Sequence, residues 1–145
     1  MIKTKIFLIA VLGLWIQASQ AQNTYYSNGH LAYVKAAEIA YFENGSLAYS
    51  GAARVAYHSN GTLAYVGNTG KAYYSSGQLA YCEINNVLLD KNGGAIILNN
   101  CPTASSSDSD ETFIRLKECT NLYIRIKDNE LKFVLFISGR VIPLE

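Results

Sequence analysis

The reading of this chain turns on Tyr25-Tyr26-Ser27-Asn28-Gly29-His30-Leu31-Ala32-Tyr33 and its echoes at residues 41–49, 57–65 and 73–81. Tyrosines stand at 25, 33, 41, 49, 57, 65, 73 and 81, eight residues apart, and glycines at 29, 45, 61 and 77, sixteen apart. The unit is therefore sixteen residues with two tyrosines each. Its pattern is Tyr, an aromatic or His, two polar residues, Gly, any residue, then Leu-Ala-Tyr. A short fixed period of this kind marks a repeat architecture.

Asn-Gly between apolar flanks is the strongest local hairpin signal, because a two-residue type I′ turn needs positive φ at both central positions. Asn28-Gly29, Asn44-Gly45 and Asn60-Gly61 fit, and Ser76-Gly77 is a weaker copy. Such a turn sets Tyr26 opposite Leu31 and Tyr25 opposite Ala32. It sorts the tyrosines into two ladders, since opposed residues share a face. The ladder of Tyr33, Tyr49, Tyr65 and Tyr81 then shares its face with Leu31, Leu47, Leu63 and Leu79, and with Tyr26, Phe42 and Tyr74. This larger apolar area is expected to be packed. The ladder of Tyr25, Tyr41, Tyr57 and Tyr73 lies among alanines and is expected to be the more exposed. It is the candidate surface for a ligand or partner. The expected fold is all-β: an antiparallel meander of sixteen-residue hairpin repeats forming a single-layer sheet, followed by a small β-module. A β-solenoid with one repeat per coil is the alternative.

Tyr-Tyr-Ser-Asn-Gly-His-Leu, Tyr-Phe-Glu-Asn-Gly-Ser-Leu and Tyr-His-Ser-Asn-Gly-Thr-Leu resemble the bacterial variant of the MORN repeat, marked by an aromatic pair, Asn-Gly and then Leu. The resemblance covers residues 25–81 and implies a sheet of consecutive hairpins serving as a scaffold or binding surface. The period is shorter than the family's, and Ala-Tyr stands where the family has a charged, Gly-rich linker. A fainter likeness is to choline- and glucan-binding repeats, which rely on Trp.

Upstream, residues 1–21 read as a secretory signal peptide. Lys3 and Lys5 supply the positive end, Ile6 to Ile16 the apolar run, and Ser19-Gln20-Ala21 the small residues of a cleavage site. The run is too short for a membrane-spanning helix, which needs about 20 residues. No other segment is apolar enough to span a membrane as a helix. Cleavage would start the mature chain at Gln22 and remove Trp15. Of twelve Lys and Arg, the loss of Lys3 and Lys5 leaves ten against eleven Asp and Glu, a net charge near −1. That balance argues against nucleic acid as a partner, because phosphate binding needs clustered cations. The expected location is outside the cytoplasm, periplasmic or extracellular.

The repeat array is placed at residues 22–82 and the β-module at 83–145. In the module, Val87-Leu88-Leu89 and Ala95 to Leu98 flank a turn at Lys91 to Gly94. Thr112 to Lys117, Leu122 to Lys127, Leu131 to Ile137 and Val141-Ile142 read as further strands, with turns at Asp128-Asn129 and Ser138-Gly139. The module is expected to cover an exposed edge of the repeat sheet. Thr103 to Glu111 reads as an exposed loop. Its Asp108, Asp110 and Glu111 lack the spacing of a calcium loop.

Three cysteines follow the repeats, Cys82, Cys101 and Cys119. Export makes a disulfide plausible, with Cys82 and Cys101 the first pair to consider and Cys101 with Cys119 the second. No Cys-x-x-Cys spacing suggests zinc. His30 and His58 have no carboxylate placed beside them by the repeat, and no nucleophile motif is present. Neither enzymatic activity nor a cofactor is expected. The sequons Asn44-Gly45-Ser46 and Asn60-Gly61-Thr62 are better explained as turns. Three kinds of partner fit: another protein, a cell-envelope polysaccharide stacked on tyrosine rings, or further copies of the chain. Self-association draws support from the five charged residues among 23–81.

Overall fold

The computed structural model describes residues 22–97, 111–116, 119 and 121–145. Residues 1–21, read above as a signal peptide, Cys101 and most of the Ser- and Asp-rich stretch lie outside the described residues. The described residues form thirteen strands in two antiparallel sheets, and neither sheet closes on itself.

The first sheet has nine strands in sequence order: β1 (Thr24–Tyr25), β2 (Leu31–Val34), β3 (Ile39–Tyr41), β4 (Leu47–Ser50), β5 (Val55–Tyr57), β6 (Leu63–Val66), β7 (Lys71–Tyr73), β8 (Leu79–Cys82) and β9 (Val87–Leu88). Each strand pairs antiparallel with the next, so the architecture is the meander and not the solenoid. It also runs past the boundary read at residue 82. β9 belongs to this sheet, and a fifth turn follows at Asp90 to Gly94, where Gly93 keeps the sixteen-residue step from Gly77.

The turns differ from the expected type. Gly29, Gly45, Gly61, Gly77 and Gly93 all sit at φ between 84° and 88°, but no Asn before them has positive φ. Gly45 N donates to the Phe42 carbonyl at 2.8 Å, and Phe42 N donates to the Ser46 carbonyl at 2.8 Å. This is a three-residue loop, a type I turn closed by a glycine bulge. Asn is favoured here for its side chain. Asn44 Oδ1 accepts from Ser46 N at 2.9 Å, and Asn60 Oδ1 accepts from Thr62 N at 3.0 Å. The amide nitrogens reach the next repeat: Asn28 Nδ2 donates to Glu43 Oε1 at 2.7 Å and Asn60 Nδ2 to the Ser75 carbonyl at 2.9 Å.

A second irregularity follows each turn. Ala40 pairs with Tyr49, but Tyr41 pairs with Leu47, so the register shifts and Ala48 is the extra residue of a bulge. The same shift recurs at Ala56/Tyr57 and Ala72/Tyr73. A one-residue shift moves side chains to the other face. It transfers the leucines from the face of Tyr33 and Tyr49, where a regular hairpin would put them, to the row of Tyr25, Tyr41, Tyr57 and Tyr73.

The second sheet holds β10 (Thr112–Arg115), β11 (Leu122–Lys127), β12 (Glu130–Ile137) and β13 (Arg140–Pro143). Its two tight turns adopt the primed geometry that the repeats do not. Asp128 and Asn129 have φ of 51° and 61°, and Ser138 and Gly139 have 52° and 74°. Both loops join strands paired up to the turn, Lys127 with Glu130 and Ile137 with Arg140.

This sheet covers a face of the repeat array rather than an edge. Leu122, Ile124, Phe133, Leu135 and Leu144 share one core with Tyr49, Tyr65 and Tyr81. The His58 ring meets Phe133 edge-on at 5.9 Å. Asn121 Nδ2 donates to the Tyr81 hydroxyl at 2.9 Å, Ser75 N to the Leu144 carbonyl at 2.8 Å, and Ser27 N to Asn129 Oδ1 at 2.9 Å. On the covered face the register runs Tyr33, Ala40, Tyr49, Ala56, Tyr65, Ala72, Tyr81, so each ring is flanked by alanines that make room for it.

Candidate functional site

The covered face is built by the second residue of each repeat as well as by the ladder. Tyr26, Phe42, His58 and Tyr74 are all buried. Three of them bond to the next repeat: the Tyr26 hydroxyl donates to the Tyr41 carbonyl at 2.8 Å and the Tyr74 hydroxyl to the Leu89 carbonyl at 2.6 Å, while His58 Nε2 stands 2.8 Å from the Tyr73 carbonyl. Each acceptor is the first residue of the following repeat. Phe42 has no hydroxyl with which to reach Tyr57. Burial, with the Glu43 carboxylate adding to it, pushes the Tyr26 hydroxyl up to about 12. Burial raises Tyr33 and Tyr81 in the same direction. His58 is thus a structural residue of the core. His30 Nδ1 lies 2.8 Å from the Glu43 carbonyl at an exposed turn.

The opposite face has no covering layer among the described residues. It carries two rows. In the first, Tyr25 pairs with Leu31, Tyr41 with Leu47, Tyr57 with Leu63 and Tyr73 with Leu79. Tyr25 is 58% exposed and Leu47 and Leu63 are each 41% exposed, whereas Tyr41, Tyr57 and Tyr73 are half-buried. Alanines 32, 48, 64 and 80 are fully buried. The second row is Val34, Ile39, Ser50, Val55, Val66, Lys71, Cys82 and Val87, in which Lys71 is the one charged residue. At the turn end, His30, Leu31, Tyr41, Asn44 and Gly45 line an open recess of about 400 Å³.

The structure therefore brings Tyr25, Tyr41, Tyr57 and Tyr73 into one row on the uncovered face, and it places Tyr49, Tyr65 and Tyr81 in the core. Sequence reasoning missed the leucines and the aliphatic row as parts of this surface. A signal did exist: each leucine stands six residues after its tyrosine, a spacing that becomes a pair once the two bulges are known.

Cys82, at the end of β8, and Cys119 are buried free thiols, and burial pushes the Cys119 thiol up. Cys101 lies outside the described residues. Of the acidic stretch, Glu111 is held by Arg125 Nε through its Oε1. Among the described residues no cluster of His, Cys, Asp or Glu could hold a metal ion, and no helix is long and apolar enough to cross a membrane.

Fold and surface together define a class: an open, two-sheet, all-β protein built on a sixteen-residue hairpin repeat, with one face of the array covered and the other apolar and uncovered among the described residues. No known protein family matches the chain, and no curated protein or solved structure is similar to it.

Proposed function

We propose that the chain is an exported, non-enzymatic repeat protein of MORN-like type that acts as an interaction scaffold in the cell envelope, using the face of Tyr25, Tyr41, Tyr57 and Tyr73. The observation that supports this reading is the asymmetry of the array. One face is buried under a second sheet, while the other exposes a periodic Tyr and Leu surface with a single charge, Lys71. An exposed, contiguous apolar patch on a soluble protein marks an interaction site.

The test compares two double variants against isolated cell-envelope fractions and a glycan array. Tyr41→Ala with Tyr57→Ala weakens retention about tenfold or more, as expected for aromatic anchors, and lowers the melting temperature modestly. Tyr49→Ala with Tyr65→Ala removes fully buried rings, each costing about 3–5 kcal/mol, and unfolds the array. Retention unchanged by the first pair would overturn the assignment of the face. Retention on glycans, lost with the same pair, would identify a saccharide as the partner.

A further inference from the structure

The uncovered face is a self-complementary surface, and we propose that it pairs face to face with the same face of a second copy of this chain about a two-fold axis lying along β5. This rests on the interaction-surface reading and names the partner.

The argument starts from the repeat. A two-fold axis along β5 lays β4 of one copy over β6 of the other and β3 over β7. Because consecutive hairpins are equivalent, this operation superimposes each row on itself. Leu47 meets Leu63, the two leucines that are each 41% exposed. Tyr41 meets Tyr73, Ser50 meets Val66, and Val55 and Tyr57 meet their own counterparts across the axis. Such an isologous contact uses one patch twice.

Charge is consistent with the same register. Lys71 is the one charged residue of either row, and it lies over Ile39 of the second copy. The two Lys71 side chains stay about four strand spacings apart, roughly 19 Å, well beyond the screening length of about 8 Å at physiological salt. A different offset, sliding the copies until β7 meets β7, would bring the two cations together inside an apolar contact.

Area is sufficient. Nine strands spaced about 4.8 Å apart span roughly 40 Å, and the two rows are roughly 10–13 Å deep along the strands. Each copy therefore offers on the order of 400–500 Å², and the pair buries about 800–1,000 Å², the size of a weak or transient interface. Two sheets stacked this way lie about 10 Å apart with interdigitated side chains. The first sheet would then be the middle layer on each side of a four-layer assembly.

Sedimentation over a concentration series, with the full mature chain, tests the proposal. The wild-type protein should dimerise. Leu47→Lys places a cation where side chains are solvent-exposed in the monomer, so circular dichroism and melting of dilute protein stay unchanged, but its dissociation constant rises about 30-fold or more, as for loss of a central anchor. The combination Leu47→Lys with Leu63→Glu restores dimerisation, because the axis along β5 sets the two positions against each other. Ile84→Lys, at a residue 79% exposed in the loop before β9, leaves dimerisation intact. A wild-type monomer at hundreds of micromolar overturns the proposal, as does a dimer that survives Leu47→Lys. A dimer not rescued by Leu63→Glu overturns the register. A monomer that still binds envelope fractions through Tyr41 and Tyr57 sinks the dimer and leaves the binding surface standing. A monomer that binds nothing sinks both.

Discussion

Gly51 N donates to the Glu38 carbonyl at 2.8 Å, and a Cβ on Gly51 would stand 2.6 Å from the Cβ of Glu38. The contact repeats one unit later, where Gly67 faces Arg54 and a Cβ would meet that of Arg54 at 2.8 Å. In the third unit it is reversed: Gly70 takes the place of Glu38 and Glu83 the place of Gly51, and Glu83 N donates to the Gly70 carbonyl at 2.8 Å. In each pair one member is glycine. Glu38, Arg54 and Gly70 all have positive φ, at 53°, 54° and 61°.

Gly51→Ala should therefore destabilise the array by about 1–3 kcal/mol through overpacking. In a Glu38→Gly background most of that cost should vanish, since Gly70 with Glu83 shows the swapped pair fitting. A double-mutant cycle by chemical denaturation reads the coupling, expected at about 1 kcal/mol or more. Additive effects would show that the two residues do not contact.

Phe42→Tyr should stabilise the protein by about 0.5–1.5 kcal/mol, the net worth of one hydrogen bond. Its hydroxyl would reach the Tyr57 carbonyl as those of Tyr26 and Tyr74 reach Tyr41 and Leu89. Tyr26→Phe and Tyr74→Phe should each cost a similar amount. Thermal melts of the three variants check the sign in both directions.

Gly45→Val should damage the fold more than Ser46→Val. A Cβ at Gly45 meets nothing within 4 Å, so the penalty comes from φ of 84° alone, on the order of 1–3 kcal/mol for a residue held in a disfavoured region. Ser46→Val loses the bond from Ser46 Oγ to Asn44 Oδ1 at an exposed site. Equal shifts in melting temperature would contradict the left-handed assignment.

Stability should fall in alkali. The Tyr26 hydroxyl is raised from 10.0 to about 12 in the fold. The unfolded chain ionises first, so this contribution is complete below about pH 10 and is lost as pH rises through the folded value. Tyr33 and Tyr81 shift the same way. Melts from pH 8 to 12 should show the decline, and Tyr26→Phe should make it shallower. A slope unchanged in that variant would place the alkaline sensitivity elsewhere.

The sixteen-residue period, the hairpin array and the left-handed glycines were determined by sequence alone, with the meander favoured over a solenoid; the ladder of Tyr49, Tyr65 and Tyr81 was expected to be packed, on an apolar area that counted leucines now seen on the other face. These follow from local chemistry: glycine at position 45 accepts positive φ, and strand alternation separates Tyr41 from Tyr49. The fifth turn at Gly93 kept its glycine step but lost its tyrosines to Leu89 and Asp90, and so escaped the pattern. Three things were decided by tertiary structure. The turn type was settled by the backbone of the fold, because Asn-Gly serves a type I turn with a glycine bulge as well as a type I′ turn. The face of Leu47 and Leu63 depends on bulges at Ala48 and Ala64, and one shifted residue reverses a side chain. The choice of which tyrosine ladder is buried became final when Phe133, Leu135 and Leu144 packed on it, contacts made across more than fifty residues of chain that no window of sequence spans.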